Sequence, residues 1–245
     1  MKALEFFISG QFGMFRKPDS RTPSLTFSFI PKSAILGICG AMLGLEGYTN
    51  GKSPVFLSRL KDFKIAIEPY INGKPATRPF SRTFVKFNNY HGYGSADGND
   101  RSIEQVLIRP SYLISVIADE QNQDFQTLSD CLKKKEIKFR PYLGKNEFLA
   151  NIEPHGVLNA GEVVEEQVKC DSIYAVNNYH KIPLLGGTFN FLISDTYSYG
   201  LDDHQRHKLA VFNYSDWKIQ KDQVDSSIGR LYALGPKGER VIFGF

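Results

Sequence analysis

The stretch FGMFRKPDSRTPSLTFSFIPKSAILGICGAMLGLEGY, Phe12–Tyr48, decides how the chain reads. It opens as a basic, aromatic loop (Phe12, Phe15, Arg16, Lys17, Arg21) and passes through a short alternating segment, Leu25–Ile30. Pro31 then leads into a run that is apolar on almost every side: Ala34, Ile35, Leu36, Ile38, Cys39, Ala41, Met42, Leu43. Proline suits the first helical turn, which needs no backbone donor there, and the Ser33 hydroxyl is expected to satisfy free amides of that turn. A helix over 32–45 that is apolar all round is a buried one. Its free starting amides favour a nearby anion, phosphate included. A buried helix is therefore expected directly behind a loop of positive and aromatic side chains.

Length and composition set the frame around it. The 245 residues suit one large domain or two small ones, and 42% hydrophobic residues can fill a proper core. No repeat, low-complexity tract or linker divides them, so one domain over 1–245 is expected, with a β-rich portion about 160–245. The start lacks a signal-peptide pattern. The longest apolar run, Ala34–Leu45, is broken by Gly37, Gly40 and Gly44 and falls short of the roughly 20 residues that span a bilayer. Three scattered cysteines (Cys39, Cys131, Cys170) argue against a disulfide framework or zinc finger and fit a reducing cytoplasm. A cytoplasmic protein with no membrane partner is the expectation. The net charge of +4 is mildly basic, and 19 Phe with 12 Tyr favour strands.

Periodicity then places the elements. Residues 2–9 and 63–71 read as strands; in the second, Phe63, Ile65 and Ile67 alternate with Lys64, Ala66 and Glu68, the period of a half-buried strand. Asn72-Gly73 is a hairpin signal. Residues 103–118 read as two strand pieces meeting at Pro110. Residues 124–136 read as a helix whose closing Lys133, Lys134 and Lys135 suit its dipole. Further strands are expected at 148–152, 184–194, 208–213 and 240–245. The order suggests an α+β fold of ferredoxin type.

Between them, residues 74–101 read as an arm that leaves the sheet and returns. From Lys74 to Ala96 it carries Lys74, Arg78, Arg82 and Lys86 and no acidic residue, interleaved with Phe80, Phe84, Phe87, Tyr90 and Tyr93. In an extended chain Arg78, Phe80, Arg82, Phe84 and Lys86 would share one face. Cations bind phosphate and aromatic faces stack on unpaired bases, so this arm is the candidate RNA-binding element. Its glycine-rich tip, 91–100, is expected to be mobile.

Other chemistry is thinner. His204 and His207 have an i, i+3 spacing but lack the acidic partner and third ligand of a helical zinc site, so neither a metal nor any other cofactor is expected. Glu165 and Glu166 are adjacent and point apart, making no catalytic dyad. No Walker loop, GxSxG or dinucleotide fingerprint occurs. His91 beside Tyr90 could serve as general base on a ribose hydroxyl, which leaves a metal-independent endoribonuclease as one alternative. A protein–protein adaptor, with the basic arm meeting an acidic partner, is the other.

The N-terminal strand, FGMFRKPDS and SLTFSFIPKSAILGICGAMLG resemble the opening signature of the CRISPR-associated Cas five family of the RAMP superfamily, and PYLGKNEF (141–148) resembles a second family segment. Size and helix pattern look most like the type I-B branch. The resemblance implies a ferredoxin-like, RNA-recognition-type antiparallel sheet with helices on one face and a protruding β-hairpin thumb, extended at the C-terminus by β structure. It implies a subunit of a type I Cascade surveillance complex that grips the 5′ handle of the crRNA in antiviral defence. Such a subunit contacts the backbone and large subunits and lies near target DNA. Phe15, Arg16 and Lys17 of the loop and Lys32 and Ser33 at the helix entry carry over from the family pattern. Arg21, Arg78, Arg82, Phe84, Lys86, Tyr90, His91 and Arg101 are added from charge and spacing. The family branch that cleaves its own RNA precursor uses Tyr, Lys and His; Tyr90-His91 here has no aligned Lys, and a non-catalytic role is expected.

Overall fold

The computed structural model describes residues 1–48, 53–89, 100–177, 191–202, 206–236 and 238–245. The chain forms β1 (Lys2–Ser9), the short β2 (Phe12–Gly13), helix α1 (Lys32–Leu43), the five-residue helix α2 (Val55–Arg59), β3 (Lys64–Ile71) and β4 (Lys74–Pro75). A long hairpin follows, β5 (Arg82–Asn89) and β6 (Asp100–Ile108), then β7 (Ser111–Ala118), helix α3 (Gln123–Lys134) and β8 (Asn151–Glu162). The remainder is β: β9 (Gln167–Lys169), β10 (Tyr174–Ala175), β11 (Leu192–Leu201), β12 (His207–Ser215), β13 (Lys218–Gln220), β14 (Arg230–Leu234) and β15 (Arg240–Gly244).

The main sheet has seven strands in the order β15-β14-β8-β1-β7-β3-β4, every neighbouring pair antiparallel. Inside it, β1-α1-β3-β7-α3-β8 is a β-α-β-β-α-β succession whose strands stand in the order β8-β1-β7-β3. One face is apolar: Leu4, Phe6, Ile8, Ile65, Ile67, Ile114 and Val116 pack in one core with Ile35, Ile38, Cys39 and Met42 of α1 and Phe125, Leu128 and Leu132 of α3. Burial of the Cys39 thiol pushes its pKa up to about 12, so it acts as a packing group.

The helices start for different reasons. At α3, Asn122 Oδ1 accepts from the Phe125 amide at 3.0 Å, Asp124 lies in the first turn, and Lys133 and Lys134 close the last. These are the cap and charges a helix dipole favours. At α1, Pro31 is the cap and no side chain bonds the free amides. The expected Ser33 cap is absent because Ser33 lies inside the first turn, past the position from which a hydroxyl folds back. The carbonyl of Pro31 instead accepts from Ala34 and Ile35 at 3.0 and 3.1 Å.

The second face of the sheet corrects the reading of β3 as half-buried. Ala66 and Glu68, on the face expected to meet solvent, are 1% and 4% exposed. The sheet curls until Phe245, just past β15, meets β3: Ile65 donates to Phe245 at 2.9 Å and accepts from it at 3.2 Å. Inside the curl a second core forms from Ala3, Ala66, Ile117, Ala160, Tyr232, Leu234 and Ile242. Beside it the Arg240 guanidinium donates to Glu5 at 2.9 and 3.1 Å and to Glu68 at 2.7 Å, while Ser115 donates to Glu5 at 2.7 Å.

Other expectations meet mixed outcomes. Residues 25–30 form no strand, only a bridge from Thr26 to Arg16, because their polar groups go to the neighbouring loop and to β6. The strand expected at 148–152 begins at Asn151 and runs for 12 residues, its exposure on both faces having hidden its period. Among the described residues no helix is long and apolar enough to cross a membrane.

Candidate nucleic-acid interface

The hairpin of β5 and β6 belongs to a small sheet with the order β2-β6-β5. Lys74–Pro75 pair with β3 beyond the Asn72-Gly73 turn, so the projecting ribbon runs from Arg82 to Ile108 rather than from Lys74. The loop 15–28 is sewn to the other edge of β6. Ser24 donates to the Ile103 carbonyl at 2.9 Å and Gln105 donates back to Ser24 at 2.8 Å. The loop is itself cross-tied: Phe15 donates to Thr26 Oγ1 at 2.9 Å, Phe27 to the Phe15 carbonyl at 2.9 Å, and Lys17 to Leu25 at 2.8 Å. Two patches some seventy residues apart in sequence thus lie on adjoining elements.

Along β5, Arg82, Phe84 and Lys86 share one face by strand alternation. Phe84 is 54% exposed and Lys86 is exposed. Arg16 and Arg21 are exposed on the loop, with Arg16 donating to the Ser20 carbonyl at 3.3 Å. An exposed ring flanked by cations can stack one base while its neighbours meet phosphate.

Not every predicted residue joins this row. Phe80 precedes the strand and turns inward, 7% exposed with its ring edge-on to Tyr112 at 5.2 Å. Arg78 also precedes the strand and lines a separate shallow cleft with Tyr70 and Arg109. Phe15 is buried among core residues and presents no free ring face. Lys17 reaches Asp195 of β11 at 2.9 Å and lies over the Phe27 ring. Ser28 also donates to Asp195, and Arg82 donates to Ser28 at 2.6 Å. Burial alone would raise the Asp195 pKa, but those hydrogen bonds and the charges of Lys17 and Arg82 outweigh it and hold the carboxyl below its ordinary value. Asp195 therefore neutralises Lys17 and, through Ser28, holds the guanidinium of Arg82. Nothing local signals that role, since Asp195 lies 178 residues from Lys17.

The opposite face of the hairpin is also tied down. Lys145 sits 3.9 Å over the Phe87 ring and 2.7 Å from Glu104, a cation–π contact joined to an ion pair. At the helix entry Lys32 donates to the Phe245 carbonyl at 2.6 Å. Burial, with the Lys64 charge second, brings its pKa down to about 8. Ser33 is half-buried at the mouth of a groove along α1. Tyr90 and His91 lie outside the described residues, as does the side chain of Arg101, whose backbone is part of β6.

Among the described residues no group of three His, Cys, Asp or Glu side chains is placed to hold a metal. His207 opens a strand, not a helix, with its Nδ1 2.7 Å from the Ser198 hydroxyl, and burial lowers its pKa. His204 lies outside the described residues.

Solved structures share this fold. A crystal structure of a CRISPR protein from Archaeoglobus fulgidus aligns over 100% of this chain and 99% of its own, with 10% identity and a TM-score of 0.52. A chain of a Type III-B Cmr-beta complex bound to cognate target RNA aligns over 89% and 86%, with 13% identity and a TM-score of 0.52. A chain of a CRISPR RNA-guided surveillance complex aligns over 91% and 93%, with 15% identity and a TM-score of 0.50. No curated protein sequence matches. The family model described as CRISPR-associated protein (Cas_Cas5) matches residues 3–219, and the chain belongs to that CRISPR-associated family.

Proposed function

We propose that this chain is a non-catalytic crRNA-binding subunit of a type I CRISPR effector complex, of the I-B branch by its size and helix pattern. It grips the single-stranded 5′ handle beside the backbone and large subunits. The β-α-β-β-α-β succession is read as the ferredoxin-like frame of the RNA-recognition type, and the β5–β6 hairpin as its thumb. The observation that carries the reading is the exposed Phe84 between Arg82 and Lys86, on a ribbon whose root is joined to the loop bearing Arg16 and Arg21. Bases of a single strand are open to stacking, and backbone cations make the affinity fall with salt.

Phe84→Ala with Lys86→Ala tests it, because both side chains are exposed and Arg82, which anchors Ser28, is left in place. Affinity for single-stranded repeat RNA is expected to fall about tenfold or more. The slope of log affinity against log salt should become shallower by about 0.7 for the lost cation. Unchanged affinity and slope would remove the hairpin from the interface.

Lack of catalysis has its own test. Incubation of the purified protein with repeat RNA in EDTA is expected to leave the RNA intact. Specific cleavage that disappears in His91→Ala would establish the endoribonuclease instead.

A further inference from the structure

An open groove runs along α1, about 810 Å³ in volume, within the range of clefts that hold small ligands. Its floor is the small-residue side of the helix, Ala34, Gly37 and Ala41. Its rim is aromatic: Tyr48, Phe139 and Tyr142 are 73%, 58% and 45% exposed. Large rings left in water around a concave floor mark an interaction site. None of these residues belongs to the hairpin or the basic loop.

The rim is built, not draped. Lys138 and Phe139 donate their amides to the Met42 and Ala41 carbonyls at the end of α1, at 3.3 and 3.0 Å. These bonds use carbonyls that a helix end leaves without partners. Leu143 donates to the Phe148 carbonyl at 2.7 Å, Ala150 to Pro141 at 3.0 Å, and Met14 to Leu143 at 3.0 Å. Phe139 and Tyr142 are therefore presented on a fixed backbone, which lowers the ordering cost of binding.

We propose that this groove takes unpaired RNA bases, as a second contact beyond the hairpin. Two features choose RNA over a protein segment. Cations alternate with the rings, Lys138 and Arg140 on either side of Phe139, and both are exposed. Glu46 is the single acidic side chain among the groove's lining residues. Stacking tolerates any base, so the groove contributes affinity and position without fixing sequence.

This inference rests on the RNA-binding reading above, and the experiment separates the two. Full-length protein is irradiated with a single-stranded RNA carrying 4-thiouridine, and crosslinked peptides are mapped by mass spectrometry. Affinity is measured in parallel for wild type, Phe139→Ala/Tyr142→Ala and Tyr142→Phe, each checked for an unchanged melt. Crosslinks at Phe139 or Tyr142, about a tenfold or greater loss of affinity in the double variant, and retained affinity in Tyr142→Phe are the expected result. Wild-type affinity in the double variant, with crosslinks confined to residues 82–108, would overturn the groove as an RNA site and leave it to a protein partner, while the hairpin reading stands. Absence of RNA affinity in the wild-type protein would overturn both.

Discussion

Arg240→Ala should destabilise the protein by about 3–5 kcal/mol at pH 7.5, the cost of leaving a buried ion pair without its cation. Glu5 is 0% exposed and Glu68 4% exposed, and the Arg240 guanidinium lies within 3.1 Å of both carboxylates. The loss should depend on pH. Burial pushes the Glu68 carboxyl up to about 7, against the opposing charge of Arg240, with Asp171 and Glu5 adding to the rise. A carboxyl with a raised folded pKa binds its proton more tightly in the folded state. Its contribution to stability is therefore complete below about 4.5, its ordinary value, and declines as pH rises through about 7. In the variant Glu68 loses its compensating cation, so the deficit should be larger at pH 8 than at pH 5. Urea titrations at the two pH values measure this, and Glu68→Gln should flatten the wild-type decline. An equal deficit at both pH values would assign Arg240 a packing role instead of an electrostatic one.

Gly144→Ala should have the second large effect. A Cβ there would sit 1.9 Å from the Met14 carbonyl oxygen, and the backbone has φ +86°, which side chains rarely adopt. The obstacle is backbone, so no rotamer change relieves it. The strand-side loop at Met14 must move away from Leu143, breaking the 3.0 Å bond that holds them together. The expected cost is about 3 kcal/mol or more, which lowers the melting temperature of a chain this size by roughly 6–12 °C. The same shift displaces Tyr142 on one side and Lys145 on the other, so RNA contacts at the groove should weaken along with the fold. Gly156→Ala is the control: an added Cβ there meets nothing within 4 Å, and its melt should match the wild type.

The sequence alone located the elements whose signals are local. Pro31 and the apolar run after it define α1; alternation and Asn72-Gly73 define β3 and its turn; Pro110 separates β6 from β7; and the lysines ending 133–135 mark the end of α3. The loop and hairpin cations were also legible, because charge and spacing can be counted along the chain. What packs against each face was not. Alternation marked Lys64, Ala66 and Glu68 as a polar face, but it could not reveal that β14 and β15 return to cover it, bringing Arg240 onto Glu68 across 172 residues. Aromatic type alone could not separate Phe15 and Phe80, which enter the core, from Phe84, which faces water. Nor could charge alone separate Lys17, neutralised by Asp195, from Lys86. The groove is the clearest case: the PYLGKNEF segment was visible in the sequence, yet its use as a wall exists only because residues 138–139 dock on the carbonyls ending α1. Local periodicity fixes which side chains share a face, whereas the long-range contacts that cover or expose that face are set by the packed structure.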